Sequence, residues 1–360
     1  MGGVGGSGGA ETFEPIVTVG QGVSCYRSEP GQGYCWGRND IGQLGNGSTL
    51  AEYLPSVLPF RSVRSLSTTE TYHSCAVDDV GDVFCWGSNV DGALGNPDPN
   101  PALSPVMVAG LPEIQAVDAG QTHSCAVATD GSVWCWGKNN FGQLGDGTTV
   151  NSTVPIKVTG VTGAEAIACG SVHSCALLSN GSVKCWGGNG YGQTGSSNTS
   201  QPTLVPQAVS GLASASKIDA GSSVTCAVAG TTASCWGNGT FGQLGNGGTA
   251  HSSTPVQVTS VGPVADVSTS GVHTCVVRND GTARCWGVND MGQVGDGTTG
   301  NSLTPQSVVG LTGATHISAG YSHTCATTTD GLYCWGDNQS GQLGTGDTTN
   351  SITPTAVSLP

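Results

Sequence analysis

Short runs in which apolar residues alternate with polar ones recur along the whole chain, and glycines and polar residues separate them. In one representative stretch these runs cover Ile114–Ala119, 122–128, 133–136 and, around Pro155, 154–158. Apolar residues at every second position indicate β-strands with one buried face, and no segment keeps a sustained helical period. The pattern therefore predicts four short strands in each stretch.

The unit of four predicted strands occurs seven times. Each copy contains the tripeptide Cys-Trp-Gly, which begins at Cys35, Cys85, Cys135, Cys185, Cys235, Cys285 and Cys334, so the copies are 50 residues apart five times and then 49. A repeat of this length with four strands is typical of the blades of a β-propeller. A solenoid is the alternative, but it needs atypical capping repeats at its ends, and none is visible in the sequence.

We therefore predict an all-β protein, a seven-bladed β-propeller with four-stranded antiparallel blades. Residues 15–20 match the first strand of the unit and residues 353–357 match the fourth. We expect these N- and C-terminal strands to pair in one shared blade and close the ring, which would remove exposed sheet edges. The propeller is predicted to form a single domain over residues 13–360, preceded by a flexible Gly/Ser-rich linker at residues 1–12.

The second and third strands of every copy carry one cysteine each. Cys125 and Cys135 are ten residues apart, and a three-residue loop with a left-handed Gly131 would place them directly opposite each other. The pair Cys226 and Cys235 is nine residues apart, which fits a two-residue loop that begins with glycine. The loop changes length and the cysteines stay opposite, so we predict seven disulfides: Cys25–Cys35, Cys75–Cys85, Cys125–Cys135, Cys175–Cys185, Cys226–Cys235, Cys275–Cys285 and Cys325–Cys334.

Free buried thiols and a metal site are the alternatives to these disulfides. In five copies a histidine lies two residues before the first cysteine and would supply a third zinc ligand: His73, His123, His173, His273 and His323. Val23 and Val224 replace it in the other two copies, and both of those keep their cysteine pair. We therefore predict no metal and no cofactor, and we expect each histidine to hydrogen-bond a neighbouring turn. Cys169 has no partner and is predicted to be a buried free thiol.

Charge and cysteine usage narrow the class of partner and the compartment. The chain has 10 Lys and Arg against 24 Asp and Glu, a net charge of −14. So few basic residues argue against nucleic-acid binding and against docking to an anionic membrane. A basic partner would be attracted, although many proteins are acidic without one. Seven disulfides favour a secreted, periplasmic or cell-surface location, with a signal sequence that is not part of the chain given, and no apolar run has the length of a membrane span.

The string from His123 to Gly145, with its Trp-Gly-x-Asn-x-x-Gly-Gln-Leu-Gly core, resembles the repeat of the regulator of chromosome condensation family. The resemblance covers all seven copies and implies a seven-bladed propeller. It implies no single function, because the family includes a nucleotide exchange factor of the Ran GTPase that binds chromatin, parts of ubiquitin ligases and a secreted bacterial inhibitor of β-lactamases. The paired cysteines and the lack of basic termini are more similar to a secreted bacterial member than to the nuclear one.

Residues that differ between the copies are the candidates for a specific site. The tryptophans of the Cys-Trp-Gly tripeptides occur in every copy and are expected to pack between blades. The residue before Gly-Gln-Leu-Gly varies, and in successive copies it is Ile41, Asp91, Phe141, Tyr191, Phe241, Met291 and Ser340. Equivalent loops lie side by side on one face of a propeller, so Phe141, Tyr191, Phe241 and Met291 would form an apolar arc. With Ile41 they are the predicted binding residues, and local packing of each ring over its own loop is the alternative.

No catalytic residue is predicted, because the chain has no nucleophile elbow or phosphate-binding loop and its polar motifs belong to the repeat. We predict an extracellular or cell-surface binding or adhesion scaffold, not an enzyme, that recognises a protein or glycan through one loop face. A self-associating filament or coat subunit is the second hypothesis. A carbohydrate-active enzyme and a GTPase regulator are the third and fourth.

Overall fold

The computed structural model describes residues 14–29, 31–60, 62–69 and 73–360. Within these residues, 28 strands form seven antiparallel sheets of four strands each, which are the blades of a β-propeller. The helical structure in the described residues is a single 3₁₀ turn at Val90–Gly92. The predicted fold class is thus confirmed. The predicted linker, residues 1–12, lies outside the described residues.

Each blade consists of four strands that are consecutive in the chain and hydrogen-bonded in chain order. Blades 1 to 4 are formed by β1 Ile16–Val19, β2 Val23–Arg27, β3 Gly33–Gly37 and β4 Glu52–Val57; β5 Val63–Thr68, β6 His73–Asp78, β7 Val83–Gly87 and β8 Ala102–Met107; β9 Ile114–Ala119, β10 His123–Ala128, β11 Val133–Gly137 and β12 Ser152–Lys157; and β13 Ala164–Cys169, β14 His173–Leu178, β15 Val183–Gly187 and β16 Thr203–Ala208. Blades 5 to 7 are formed by β17 Ala215–Ala220, β18 Val224–Ala229, β19 Thr232–Gly237 and β20 Ser252–Gln257; β21 Val264–Thr269, β22 His273–Arg278, β23 Ala283–Gly287 and β24 Ser302–Ser307; and β25 Ala314–Ala319, β26 His323–Thr328, β27 Gly331–Gly336 and β28 Ser351–Ala356. The first strand of each blade lines the central channel, and the fourth lies at the outside of the ring.

The hairpin between the second and third strands sets the register that brings the cysteines together. Cys125 is directly opposite Cys135, and Cys226 is opposite Cys235. Gly131 has φ 76° and Gly230 has φ 62°, in the left-handed region that each of the two turns requires. All seven predicted cysteine pairs are disulfides, with Cα atoms 4.1 Å apart in each.

A tryptophan from each blade reaches into the preceding blade. The indole Nε1 of Trp186 donates a hydrogen bond of 2.8 Å to the backbone carbonyl of Gln143. Gly145 has φ 69° and lies against the same ring, where an added Cβ would come 2.8 Å from Nε1. The seven tryptophans of the Cys-Trp-Gly tripeptides are all fully buried in this way, so the expectation that they pack between blades is confirmed.

A hydroxyl group provides the second contact across each blade boundary. Ser174 donates a hydrogen bond of 3.0 Å to the same Gln143 carbonyl, and its Oγ lies 2.9 Å from His123 Nε2. The five repeat histidines make this bond to the second strand of the following blade. The expectation that they bond a neighbouring turn holds for His273, whose Nδ1 lies 3.2 Å from Ser270 Oγ. The bond that all five share crosses the interface between two sheets instead.

The two blades without this histidine have a different partner for the hydroxyl. Val224 stands where His would be, and Thr274 of the next blade is instead 3.0 Å from Thr269 Oγ1. Val23 is followed by the same arrangement, in which Ser74 is 3.0 Å from Thr68. Thr68 and Thr269 occupy a position where the other blades have Ala, Val or Cys169. The hydroxyl thus keeps a hydrogen-bond partner, now within its own blade, when the histidine is lost.

The prediction that the N- and C-terminal strands share a blade is wrong. The first strand of blade 1 opens the described residues and the fourth strand of blade 7 is the last strand, so repeat and blade are in phase and each blade is continuous. The ring closes by side-chain contacts of the same types as those at the other boundaries. Trp36 Nε1 donates to the Gln342 carbonyl at 2.9 Å, Ser24 Oγ lies 2.8 Å from His323 Nε2, and the Val19 amide donates to Ser318 Oγ at 3.1 Å.

Candidate functional site

The long loops between the third and fourth strands all lie on one face of the propeller, which we call the loop face. They are residues 38–51, 88–101, 138–151, 188–202, 238–251, 288–301 and 337–350. Because successive antiparallel strands run in opposite directions, the tight turns between the second and third strands lie on the opposite face, which we call the hairpin face. Any site built from the variable residues therefore belongs to the loop face.

A buried asparagine holds six of the seven long loops in shape, and in blade 5 Gly239 takes its position and donates its amide to His251 Nδ1 at 3.2 Å. The side-chain oxygen of Asn139 accepts a hydrogen bond of 2.9 Å from the Leu144 amide, and its Nδ2 donates to Asp146 Oδ1 at 3.1 Å. Gln143 Oε1 accepts the amide of Phe141 at 3.0 Å. Side-chain bonds of this kind replace regular secondary structure and give a loop a fixed backbone. The variable residue is thereby presented on a rigid support.

The predicted apolar arc is exposed on this face. Phe141, Tyr191 and Phe241 are 45%, 43% and 44% exposed, and Met291 is 36% exposed. They occupy the same position in blades 3 to 6, which are consecutive around the ring. Ile41 is only half-buried, and it lies in blade 1, separated from the arc by Asp91 on one side and Ser340 on the other. Four of the five predicted binding residues therefore form one series, and Ile41 is apart from it.

Two side chains of the arc, Tyr191 and Met291, contact the next blade. The Tyr191 ring packs edge-on against the His251 ring, with the two ring centroids 4.9 Å apart. The side-chain Nδ2 of Asn350 lies 3.7 Å from Met291 Sδ. The alternative that each ring folds over its own loop does not describe these two residues. Phe141 and Tyr191 line a common groove of about 290 Å³.

Sequence reasoning missed the remainder of this groove. Its floor and walls include Val172, Gln201, Pro202 and Ser223, which belong to the loops of blades 4 and 5. Gln201 and Pro202 lie at the end of a loop that is one residue longer than that of blade 3, and this extra length was the signal in the sequence. The groove has two aromatic rings and no charged residue among its lining.

The loop face has a strong negative charge. Its seven long loops contain eight aspartates and no glutamate: Asp40, Asp91, Asp98, Asp146, Asp290, Asp296, Asp337 and Asp347. Their basic residues are Arg38 and Lys138, which leaves a formal charge of −6. Arg38 pairs with Asp40 at 2.6 Å, and Lys138 pairs with Asp91 at 3.4 Å.

These aspartates are held by their own loops. Burial alone would raise the pKa of Asp146, but hydrogen bonds from the amide and hydroxyl of Thr148 and from Asn139 bring that pKa below its usual value. The carboxyl of Asp296 accepts the same bond from the Thr298 amide at 2.9 Å. Asp146 is therefore ionised at neutral pH, and its charge is part of the field of the face.

The central channel is the second candidate site, and it is polar. Polar side chains of the first strands bond to the backbone amide of the following blade, in the pairs Thr18–Thr68, Ser67–Ala119, Asp118–Cys169, Asp219–Thr269, Ser268–Ala319 and Ser318–Val19, over 2.6 to 3.3 Å. Burial raises the pKa of Asp118 to about 7 and that of Asp219 to about 6. Both carboxyls accept a backbone amide of the following blade, so they link neighbouring blades around the channel.

One ion pair lies deeper in the channel. His316 Nδ1 is 2.7 Å from Asp266 Oδ2, and its Nε2 faces the Val17 carbonyl at 3.1 Å. Burial opposes the charge on His316, but Asp266 raises the pKa of the imidazole above its usual value. In the same way, burial would raise the pKa of Asp266, and His316 brings it below its usual range. The pair links blades 6, 7 and 1.

The repeat histidines are enclosed and uncharged. Burial lowers the pKa of His73 to about 4 and that of His123, His173, His273 and His323 to about 3. His123, Cys125 and Cys169 offer three possible metal ligands within 4.8 Å of one another. The Cys125 sulfur is bonded to Cys135, however, so it is not a free ligand. Cys169 is buried and forms no disulfide, and burial raises the pKa of its thiol.

These features define a class of protein, a seven-bladed β-propeller with a disulfide in every blade and a rigid loop face. A family model described as the RCC1-like domain matches residues 10–271, and models of the regulator of chromosome condensation (RCC1) repeat match 264–293 and 314–342, and 280–327 and 330–360. The chain belongs to the RCC1-like family. No curated protein matches it in a sequence search.

Solved structures show the same fold. Human WBSCR16 has a TM-score of 0.83 at 23% identity, and the match covers 91% of this chain and 94% of that one. Prp20p of Saccharomyces cerevisiae, described together with its binding to Gsp1p and histones, has a TM-score of 0.78 at 22% identity over 91% and 85%. The CRINKLY ectodomain of the Arabidopsis thaliana receptor kinase ACR4 has a TM-score of 0.53 at 19% identity over 90% and 97%. Among the residues that the structure describes, no helix is long and apolar enough to span a membrane.

Proposed function

We propose that this protein is an extracellular or cell-surface binding scaffold that recognises a protein or glycan through its loop face, without catalysis. The observation that carries the proposal is the arc of Phe141, Tyr191, Phe241 and Met291, four exposed apolar side chains on adjacent, rigidly built loops. Exposed aromatic residues on a preorganised support lose little entropy when they bind, and they are typical of binding sites.

The compartment is supported by the disulfides. A disulfide in each of seven blades is typical of proteins that fold in an oxidising environment. The similar propeller of a plant receptor kinase is an ectodomain, so a propeller of this type lies outside the cell in that protein. Yeast Prp20p, which has the same fold, binds Gsp1p and histones, and this favours a protein partner for the present chain.

The second hypothesis, self-association into a filament or coat, has less support. The fourth strand of every blade is a free sheet edge at the outside of the ring, and each contains one proline: Pro55, Pro105, Pro155, Pro206, Pro255, Pro305 and Pro354. Proline removes a backbone donor, and it is a common device against edge-to-edge pairing of sheets. Assembly by strand pairing is therefore disfavoured, and we expect a monomer by light scattering at micromolar concentration.

The proposal is tested by selecting ligands for the oxidised protein from a random peptide library and from a glycan array. The double variant Phe141→Ala plus Phe241→Ala should lose at least tenfold in affinity for the selected ligands, with an unchanged circular dichroism spectrum and melting temperature. The control is Val80→Ala plus Met107→Ala, which removes two side chains that are 66% and 56% exposed on the hairpin face. Ligands that bind the Phe141/Phe241 variant as tightly as the wild type would refute the proposal.

A further inference from the structure

The charges of the loop face are arranged around its apolar arc in a definite pattern. The loops of blades 4 and 5, residues 188–202 and 238–251, contain no Asp, Glu, Lys or Arg. They carry Tyr191 and Phe241, the middle of the arc. The acidic residues begin at both ends of the arc, with Asp146 in blade 3 and with Asp290 and Asp296 in blade 6. The face thus has an uncharged aromatic centre between two acidic flanks.

The acidic flanks are not neutralised by the protein itself. The basic residues of the loop face, Arg38 and Lys138, are paired with Asp40 and Asp91 in blades 1 to 3. In the part of the chain that the structure describes, Asp146 and Asp296 have hydroxyl and amide partners and no ion pair to a cation. The seven other described Lys and Arg residues lie towards the hairpin face or in the channel: Arg27, Arg64, Lys157, Lys184, Lys217, Arg278 and Arg284.

We propose that the loop face binds a basic protein surface, one that presents an apolar side chain to the groove between Phe141 and Tyr191 and cationic side chains to the acidic flanks. This inference rests on the binding function proposed above and names its partner class. A neutral glycan would use the aromatic rings but would gain nothing from the flanks. A basic partner gains from both, since complementary charges around an apolar centre accelerate association and select the partner.

The chain itself supplies variants that remove the charge without disturbing the loop. Blades 1 and 5 have Asn46 and Asn246 at the position of Asp146 and Asp296. Asn46 Oδ1 accepts the amide two residues on at 3.1 Å and Asn246 Oδ1 does so at 3.0 Å, as the aspartate oxygens do in blades 3 and 6. Asp146→Asn plus Asp296→Asn is therefore a conservative test variant. Its control is Asp79→Asn plus Glu165→Gln, which removes the same charge from the hairpin side.

The experiment is a selection of 12-residue peptides from a random displayed library on the oxidised full chain, followed by affinity measurements on synthetic peptides. We expect selected sequences with Lys or Arg on both sides of an aromatic or aliphatic residue. Their affinity should fall about tenfold in Asp146→Asn plus Asp296→Asn and fall further between 50 and about 300 mM NaCl, because salt screens exposed charges. The hairpin-side control should bind like the wild type.

Four results would overturn the inference. The inference would be refuted by selected peptides that have no basic residue and still need Phe141 and Phe241 for binding. It would also be refuted by a neutral glycan that binds the same face when no basic peptide does. Either result would leave the proposed function standing. Basic peptides that lose equal affinity in both charge variants would show attraction to net charge alone. Selected ligands that bind the Phe141→Ala plus Phe241→Ala variant as tightly as the wild type would refute the proposed function as well.

Discussion

At the residue scale, the boundary between two blades depends on a histidine that can be exchanged for a threonine on the other side. His123 bonds Ser174 across the boundary, whereas Val224 and Val23 are each followed by a threonine that bonds the equivalent hydroxyl. The sequence of one blade does not reveal this compensation, because the valine and the threonine belong to neighbouring blades. Only the structure shows that the valine and the threonine compensate each other.

This exchange can be reproduced by mutation. His123→Val should lower the free energy of unfolding by about 1–3 kcal/mol, since it deletes a buried hydrogen bond of Ser174. Adding Cys169→Thr, which copies Thr269, should restore most of that loss. Cys169→Thr alone should not raise the free energy of unfolding, because the Ser174 hydroxyl is already bonded to His123. Denaturant unfolding of the four proteins gives the coupling energy, and simple additivity of the two changes would contradict the interpretation.

The same double variant should resist acid better than the wild type. The pKa of His123 is about 3 in the folded protein, and the usual value of 6.5 applies to the unfolded chain. Between these values the unfolded chain binds a proton that the folded protein does not, so stability is lost as pH falls from 6.5 towards 3. His123→Val plus Cys169→Thr should therefore shift the midpoint of acid unfolding to lower pH, as followed by tryptophan fluorescence. An unchanged midpoint would count against a neutral buried histidine.

Asp118 should show the opposite pH dependence. Burial raises the pKa of its carboxyl to about 7, above the usual 3.8, so the folded protein binds the extra proton between these values and loses stability as pH rises through 7. Asp118→Asn keeps an oxygen for the Cys169 amide and removes the charge. We expect it to stabilise the protein at pH 8, and we expect this advantage to shrink steadily as pH falls from 7 towards 4. A difference that does not change with pH would refute the raised pKa.

At the element scale, the hairpins were predictable, and so was the packing of the tryptophans between blades, but the residues that each of them contacts were not. Spacing between Cys125 and Cys135 and the glycine in the turn determine register locally, since both lie on one hairpin. The contact of Gly145 with Trp186 crosses a blade boundary, and so does that of Tyr191 with His251. Strand alternation carries no information about which loop lies against which neighbour. The arc could thus be predicted from the repeat, but the groove beside it could not.

Two glycines with a positive φ allow the energetic cost of backbone strain to be measured apart from the cost of losing a contact between blades. Gly160 has φ 79° and open space around it, whereas Gly145 has φ 69° and lies 2.8 Å, measured from an added Cβ, from the Trp186 ring. Gly160→Ala should cost about 1–2 kcal/mol for the left-handed backbone alone. Gly145→Ala should cost a further 1–3 kcal/mol or so, because the indole must move. Thermal unfolding of both variants checks this, and equal losses would mean that the tryptophan contact does not contribute.

At the scale of the whole molecule, the ring is closed by repetition of one boundary. A shared blade was expected because it joins the two ends of the chain within one sheet. Blades 7 and 1 meet instead through Trp36, whose equivalents connect all neighbouring blades, and through His323 and Ser318, whose equivalents occur at most boundaries. A repeat that is in phase with the blade needs no special closing strand. The result is a scaffold whose seven boundaries are nearly equivalent and whose differences are concentrated in the residues of the loop face.

Hydrogen–deuterium exchange of the oxidised protein, with and without a selected ligand, tests most directly that the loop face is the binding surface. We expect slower exchange in peptides that cover residues 138–151, 188–202, 238–251 and 288–301, and unchanged exchange in the hairpin turns at 129–132, 179–182 and 279–282. Protection confined to those hairpin turns or to the channel strands, with the four loops unaffected, would contradict it.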